Sequence, residues 1–236
     1  MNRPFVVCHI LSSMDGKIEG GFMALPEAAE CLQKYGELRG YYACDATLYG
    51  TTTMAEGYSD GLAPALSGPG PEEGMTDYKA PSDVSNYIVS LDPEGILGWD
   101  SGYIERKGRP RAHAIEVLTD RVKPAYLSYL RNAGVSYIFA GKQELDCGLA
   151  LRKLKEQFGI ERLMLAGGGI TNASFLQEDL IDEVSLVVAP VAAGNVRAAS
   201  VFERADFLPE GAPAAFDLKG VERVGAAGLW LQYVRK

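Results

Sequence analysis

The sequence lacks the closely spaced cysteines and histidines that bind metal ions or form disulfide frameworks. It has four cysteines and two histidines in 236 residues, and no two cysteines form a C-x-x-C pair. Zinc fingers and disulfide frameworks need such spacing, so we expect buried reduced thiols and no metal site. An excess of basic residues is also missing, because 23 Lys and Arg face 31 Asp and Glu, a formal net charge of −8. This balance argues against nucleic acid or an anionic membrane as a main partner.

Long apolar segments are missing as well. The longest mainly apolar stretch, residues 184–193, is far shorter than the ~18 residues of a membrane-spanning helix. The N-terminal residues lead directly into a strand-like run, without the layout of a signal peptide. We therefore expect a cytoplasmic protein with no membrane partner. A hydrophobic content of 47% is that of a globular chain, and the length allows one large domain or two small ones. Because no stretch resembles a clean domain linker, we expect a single domain over residues 1–236.

Short runs rich in Val and Ile alternate with segments of helical periodicity. The predicted strands are residues 5–11, 46–49, 87–89, 114–118, 137–140, 162–166 and 184–189, and the predicted helices are residues 27–42, 124–132, 148–158 and 173–177. This alternation predicts an α/β protein with three layers, α/β/α, around a mixed, mainly parallel sheet. Near the C-terminus, residues 215–224 and 229–234 flank a glycine-containing turn and predict an antiparallel hairpin.

One segment, residues 57–83, departs from this pattern because it interleaves prolines with glycines. Connections in compact domains are usually much shorter, and loops of this length are either functional or tolerated insertions. Two interpretations therefore stay open. The segment is either a lid that closes over a binding crevice or an insertion without a direct role.

The strongest local signal for chemistry is a glycine turn directly after a predicted strand. Gly167, Gly168 and Gly169 follow that strand, and a helix is expected to begin at Thr171 or Asn172. Consecutive glycines let backbone N–H groups converge on an anion, and a helix N-terminus adds positive potential. The spacing matches neither a P-loop nor a Rossmann fingerprint. Three glycines in a row favour phosphate binding over the alternative, a tight turn without a ligand.

Two other predicted strands also end in glycine. Gly50 is followed by Thr51, Thr52 and Thr53, whose hydroxyls either cap a helix or bind phosphate, and these interpretations have equal weight. Gly141 ends another strand. Because ligands bind at the carboxyl ends of strands in open α/β sheets, these strand ends point to one shared crevice.

A fourth candidate follows the first predicted strand. Asp15, Gly16 and Lys17 place a carboxylate and an amine on either side of a flexible residue. Asp–Gly pairs are most often turns in which the Asp side chain bonds its own backbone. On residue chemistry alone, the sequence favours a turn over a catalytic site here.

Three motifs occur together and in order along the chain. They are S-x-x-D-G-K at residues 12–17, G-T-x-T at residues 50–53, and L-x-G-G-G-x-x-N-x-S-F-L-x-x-x-L-I-D-E at residues 165–183, followed by A-P at residues 189–190. In this combination the chain resembles the C-terminal reductase domain of the bifunctional riboflavin-biosynthesis deaminase–reductase, RibD. That resemblance implies a dihydrofolate reductase-like fold and extends over nearly the whole chain, except for residues 57–83.

The resemblance also implies an activity. Members of this family transfer a hydride from NADPH to a ribosylamino-pyrimidine phosphate, such as 5-amino-6-(5-phosphoribosylamino)uracil, so a small-molecule substrate is expected. The alternatives are a dihydrofolate, pterin or other heterocycle reductase on the same fold, since fold does not determine substrate, or a dinucleotide-binding protein without catalysis. The resemblance also allows a homodimer through residues 184–191 and the C-terminal hairpin, although these strands equally suit the core.

Site residues follow from the resemblance by position. Asp15 is implied to orient the loop near the substrate, and Lys17 to handle a proton or substrate charge. Ser13 and Ala166 are implied on the substrate side, with Ala166 where riboflavin-pathway members commonly carry Glu. Lys142 suits a cofactor 2′-phosphate, whereas Asp92 gives no support for one. The implied cofactor-binding residues are Gly50, Thr51, Thr53, Ser90, Gly141, Gly167, Gly168, Gly169, Ile170 and Thr171.

Overall fold

A computed structural model describes residues 2–206, 208 and 211–236 of the chain. The strands are β1 (Phe5–Ser12), β2 (Ala46–Gly50), β3 (Tyr87–Leu91), β4 (Tyr103–Ile104), β5 (Ala112–Leu118), β6 (Ser136–Phe139), β7 (Arg162–Leu165), β8 (Glu183–Val188), β9 (Phe216–Val224) and β10 (Gly228–Arg235). The helices are α1 (Ala29–Tyr42), α2 (Thr51–Gly57), α3 (Pro124–Ala133), α4 (Cys147–Phe158) and α5 (Gly169–Gln177). Two short 3₁₀ turns, Gly21–Ala24 and Pro26–Ala28, precede α1.

The chain divides into two compact units. Unit 1 contains residues 45–161 together with the N-terminal residues up to Pro4, and unit 2 contains residues 5–44 and 162–236. Unit 2 is therefore built from two separate stretches of sequence. The single domain expected over residues 1–236 stays a prediction.

Unit 1 is built on parallel strands. β3 pairs with both β2 and β5, β5 also pairs with β6, and these ladders are all parallel, whereas the short β4 pairs antiparallel with β5. Every residue of β3, β5 and β6 is buried. Strands covered on both faces read as continuous apolar runs, which is why they were visible in the sequence.

Unit 2 combines parallel strands with a hairpin. β1 lies between β7 and β8 in parallel ladders, and β10 pairs antiparallel with β8 and with β9. Its core joins buried side chains of α1, such as Leu38 and Tyr42, to Met164, Val187 and Trp230 of the strands. The α/β class, the mainly parallel pairing and the C-terminal antiparallel hairpin are confirmed.

The structure differs from the sequence prediction mainly at short elements. β4 and α2 were not predicted, because two and seven residues are too few for a periodic pattern. Helix α5 begins at Gly169, so the expected start at Thr171 or Asn172 was wrong. Glycine is a poor helix former, and its presence made the first turn read as loop. The Asn172 N–H donates to the Gly168 carbonyl at 3.0 Å, which closes the first helical turn.

The segment 57–83 is bonded to the rest of unit 1 at several points. The Ala63 N–H donates to the Ile96 carbonyl at 2.7 Å, and Tyr78 pairs with Tyr137 through backbone bonds of 2.8 Å in both directions. The Asp77 carboxylate accepts from the Phe139 N–H at 2.8 Å. These hydrogen bonds hold the segment against the rest of unit 1.

Two further searches covered the described part of the chain. In it, no helix has the length and apolarity needed to cross a membrane. Within the same residues, no three His, Cys, Asp or Glu side chains are grouped to hold a metal ion. All four cysteines are free, with Cys44 partly exposed and the other three buried.

Candidate active site

The three consecutive glycines of unit 2 differ in their backbone conformation and surroundings. Gly167 has φ +123°, a backbone conformation that side-chain-bearing residues rarely adopt. At Gly169, an added Cβ would lie 2.3 Å from the Ser200 carbonyl oxygen, so packing alone demands glycine there. At Gly168, an added Cβ would meet no atom of the described residues within 4 Å. Packing therefore explains Gly169 and backbone conformation explains Gly167, whereas the space beside Gly168 is open.

Helix α5 begins at this turn without a capping side chain. Its N-cap is Gly168, which provides no side-chain acceptor, and its first turn carries no acidic residue. The N–H groups of a first helical turn have no partner within the helix, and together they favour an anion. Ile170 is 43% exposed and Thr171 half-buried in this turn. The turn thus presents uncapped donors beside open space.

The loop after β1 is a closed hydrogen-bonded turn. The buried Ser13 hydroxyl donates to the Asp15 carboxylate at 2.6 Å and accepts from the Lys17 N–H at 2.9 Å. The Ser13 N–H also donates to the Lys17 carbonyl at 2.8 Å. Residue chemistry favoured a turn at this place, and a turn is what the structure contains.

Asp15 extends this turn to a second segment of unit 2. Its two carboxylate oxygens accept from the backbone N–H groups of Ala193 and Gly194 at 2.9 and 2.8 Å. The hydrogen bond from Ser13, followed by the two backbone donors, holds the pKa of Asp15 well below its usual value. Asp15 is therefore an ionised anchor that fixes the loop after β8, and its implied role near a substrate stays a prediction.

The side chain of Lys17 bonds to the segment that follows Gly194, where its ammonium has two acceptors. Its Nζ donates to the Ala198 carbonyl at 2.9 Å and to the Ser200 hydroxyl at 3.1 Å. Lys17 also forms an antiparallel bridge with Ser200. An ammonium has three donors, so among the residues that the structure describes the third is left for another acceptor.

The 198–203 segment thus connects the turn of Lys17 with the glycine turn. Ser200, which binds Lys17, also lies against Gly169, and the Glu203 N–H donates to the Gly169 carbonyl at 3.0 Å. Ala166, just before the glycines, packs at the edge of the unit 2 core. The residues implied for the substrate side and the glycine turn therefore share one framework inside unit 2. Sequence reasoning missed residues 198–203, which contain no motif.

In unit 1 the threonines after β2 do not cap the helix that follows. The N-cap of α2 is Gly50, and no side chain caps it. The Thr51 hydroxyl instead donates to the Leu91 carbonyl at the end of β3, at 2.6 Å. Thr53 is half-buried within α2. Of the two interpretations given equal weight, helix capping was wrong.

Ser90 lies on β3 and is fully buried, and among the described residues its hydroxyl has no hydrogen-bond partner. A buried hydroxyl without a partner is uncommon in native proteins. Its role in cofactor binding stays a prediction.

Gly141 has a structural reason that needs no ligand. Its φ is +111°, and an added Cβ would lie 1.9 Å from the Glu144 carbonyl oxygen. The turn it forms leads into α4, whose N-cap Asp146 accepts from the Leu149 N–H at 2.6 Å. Unit 1 itself therefore dictates glycine at this position, and a cofactor role for Gly141 also stays a prediction.

Replacing Gly141 by alanine should lower the free energy of unfolding by roughly 2–5 kcal/mol, because strain and overpacking add. Gly57→Ala is the matched control, since an added Cβ there meets nothing within 4 Å. Denaturant titration of both variants measures the difference. If the two variants are equally stable, the close approach of residue 141 to Glu144 is wrong.

A buried acidic pair in unit 1 was also missed by sequence reasoning. Glu116 accepts from the Trp99 indole N–H at 2.6 Å and from the Tyr126 hydroxyl at 3.0 Å. Burial raises the pKa of Glu116 well above its usual value, and the nearby Asp92 carboxylate adds to this rise. Asp92 accepts from the backbone N–H groups of Ile96 and Leu97 at 2.7 and 2.9 Å. These groups lie on separate segments of the sequence, and only the fold brings them together.

The chain is similar to known proteins both in sequence and in fold. Residues 105–228 match the RibD C-terminal domain. The chain is 26% identical over 197 residues to the 2,5-diamino-6-ribosylamino-4(3H)-pyrimidinone 5′-phosphate reductase of Methanothermobacter thermautotrophicus. That alignment covers 82% of this chain and 81% of the archaeal protein.

Two solved structures share the fold. All of this chain aligns with RibD of Acinetobacter baumannii at a TM-score of 0.59 and 20% identity, and it spans 59% of that longer protein. All of it also aligns with 93% of a pyrimidine reductase-like protein from Corynebacterium diphtheriae, at a TM-score of 0.67 and 15% identity. The matched domain covers more than half of the sequence, and the fold agrees with it. The chain belongs to the RibD C-terminal domain family.

Proposed function

We propose that the chain is a nicotinamide-dependent reductase of riboflavin biosynthesis that reduces a ribosylamino-pyrimidine phosphate. The observation that carries this proposal is the glycine turn before α5, where an uncapped first helical turn faces open space beside Gly168. Membership of the RibD C-terminal domain family supports it. The archaeal relative is named for the reduction of a compound of this class.

The residues of the glycine turn fit a cofactor that carries phosphate. Uncapped N–H groups at a helix N-terminus bind phosphate oxygens, and the missing side chain at Gly168 leaves room for them. When bound, a nicotinamide cofactor supplies the hydride. The protein then has to hold donor and acceptor together and exclude water, and it needs no nucleophile or metal of its own for this. The sequence resemblance implies NADPH as the donor.

On the substrate side, we assign different roles to Asp15 and Lys17. Asp15 is a positioning residue, because both of its oxygens hold the loop of Ala193 and Gly194. Within the described part of the chain, Lys17 keeps one ammonium donor after its bonds to Ala198 and Ser200. In a ring-opened ribosylamine, the imine carbon takes a hydride and the nitrogen takes a proton. A fixed ammonium stabilises the negative charge of this substrate and is a source of that proton.

Ala166 gives one specific reason to test other heterocycles as well. Its methyl group packs at the edge of the unit 2 core, at the position where the resemblance implies a glutamate that contacts substrate. A carboxylate that hydrogen-bonds a substrate discriminates strongly against compounds lacking the partner group. Its absence favours a substrate with a different heterocyclic edge, still reduced by the same hydride transfer.

The test is a turnover assay on the full chain with NADH or NADPH and 2,5-diamino-6-ribosylamino-4(3H)-pyrimidinone 5′-phosphate. We expect the near-ultraviolet absorbance of the reduced nicotinamide to fall in proportion to the substrate added. Dihydrofolate and the related uracil derivative serve as comparison substrates. If the cofactor binds but is oxidised with none of these compounds, the proposed reduction is wrong and a dinucleotide-binding role is favoured.

A further inference from the structure

Ser200 lies directly opposite Lys17 in a short pair of antiparallel segments of unit 2. The two residues form a bridge, and backbone hydrogen bonds of 2.9 and 3.2 Å between residues 16–18 and 199–201 flank it. Residues directly opposite each other in an antiparallel pair carry their side chains on the same face. The backbone pairing therefore makes the side chains of Lys17 and Ser200 neighbours.

The backbone around Ser200 is held in place without help from its hydroxyl. The Ala199 N–H donates to the Glu19 carboxylate at 2.9 Å. The Val201 carbonyl accepts from the side-chain amide of Asn172, a buried residue of α5, at 2.8 Å. Together with the bonds that flank the bridge, these contacts fix the segment to the loop after β1 and to α5. The path of the segment therefore does not require a hydroxyl at residue 200.

The Ser200 hydroxyl serves instead as an acceptor for the ammonium of Lys17. The Lys17 Nζ donates to this hydroxyl at 3.1 Å and to the Ala198 carbonyl at 2.9 Å, and both side chains are half-buried. The ammonium lies at the end of a flexible four-carbon stem. A single acceptor would leave it free to turn about that one bond, whereas two acceptors fix its position. Ser200 supplies the second of them.

A fixed ammonium matters because proton transfer depends on geometry. In the proposed reduction, the imine carbon receives a hydride from the reduced nicotinamide, and the imine nitrogen receives a proton from the Lys17 ammonium. Lys17 is then a neutral amine until water returns the proton. The proton donor has to lie within hydrogen-bond distance of its acceptor, and a misplacement of about 1 Å costs on the order of 100-fold in rate. Because two N–H groups of Lys17 are engaged, the third has a defined direction among the described residues.

On the basis of the proposed function, we infer that Ser200 is a positioning residue for the reduction, and that its hydroxyl directs the third N–H of Lys17 toward the substrate. All of the groups involved belong to unit 2. The segment of Ser200 also contacts the glycine turn, since the Glu203 N–H donates to the Gly169 carbonyl at 3.0 Å. The position of Lys17 is therefore set relative to the first turn of α5.

The first measurement does not depend on the substrate. The full chain is treated with a limiting amount of acetic anhydride, and the acetylation rate of Lys17 is read from its peptides by mass spectrometry. An amine that has lost one of its two acceptors is more reactive, so Ser200→Ala should raise this rate by at least about threefold. Ser200→Thr keeps the hydroxyl and should react like wild type.

Steady-state kinetics then measures the effect on the reduction. Ser200→Ala should lower kcat by about 10- to 100-fold, whereas KM and cofactor affinity should change by less than about threefold. Ser200→Thr should retain most of kcat. The control is Ser128→Ala, which removes a half-buried hydroxyl of unit 1 that donates to the Pro69 carbonyl at 2.9 Å. This variant should match wild type in both measurements.

Unchanged acetylation of Lys17 in a folded Ser200→Ala variant overturns the inference, because the hydroxyl then does not hold the ammonium. Faster acetylation with unchanged kcat also overturns it, since a released ammonium would then serve the reaction equally well. An equal loss of kcat in the alanine and threonine variants overturns it as well, because the hydroxyl would not be the cause. If wild type reduces none of the substrates, the proposed function fails, and the assignment of Ser200 to that reaction fails with it.

Discussion

Replacing Gly168 by valine should weaken binding of the nicotinamide cofactor by at least about 100-fold, because the new side chain occupies the space in front of the first turn of α5. Two lost hydrogen bonds to a charged group are enough for this effect, at roughly 1.5–3 kcal/mol each. Affinity is measured by fluorescence titration, after circular dichroism has established that the variant is folded.

The matched control for Gly168→Val is Gly36→Val, in the same unit. An added Cβ at either position meets nothing within 4 Å, but Gly36 lies in the middle of α1, away from the glycine turn. The control should bind the cofactor like wild type. Unchanged affinity in a folded Gly168→Val variant would refute the assignment of the glycine turn to the cofactor.

Replacing Lys17 by methionine should lower kcat by about 100- to 1,000-fold, because the charge and the donor that meet the substrate are lost. The change keeps an unbranched side chain of similar length. Cofactor affinity should change less than about threefold, since the Lys17 ammonium bonds only to Ala198 and Ser200 among the described residues. Steady-state kinetics and a separate cofactor titration give the two quantities.

Lys34→Met is the control for the lysine prediction. Lys34 lies on α1 of the same unit, where its ammonium pairs with Glu222 at 2.7 Å. Exposed pairs of this kind contribute little to stability, so the variant should retain wild-type turnover. A Lys17→Met variant that loses cofactor affinity but keeps kcat would contradict the proposed position of Lys17 on the substrate side.

The long buried elements were readable from the sequence because burial leaves a local pattern. β3 and β5 are mainly apolar runs, and all of their residues are buried. Helix α4 begins at the Asp146 cap and ends at Gly159 with φ +70°, and such caps are local signals. The turn at Asp15 followed equally well from the chemistry of an Asp–Gly pair.

The site depends instead on contacts between residues that are distant in sequence. Asp15 holds Gly194, Lys17 holds Ser200, and Ser200 in turn explains Gly169. No local pattern encodes a distance of 2.3 Å between an added Cβ and a carbonyl oxygen. For this reason the sequence grouped Gly141 and Gly169 with the ligand-binding glycines, although packing within each unit already requires glycine at both positions.

The most direct test of the proposed reduction is the transfer of an isotopic label. A reduced nicotinamide cofactor with deuterium at C4 is incubated with the full chain and the ribosylamino-pyrimidine phosphate, and the product is analysed by mass spectrometry. With the deuterium on the face that is transferred, each product molecule should gain one deuterium atom, at the former imine carbon. Two results would contradict hydride transfer by this protein. One is product that lacks deuterium whichever face of C4 carries the label, and the other is no product despite bound cofactor.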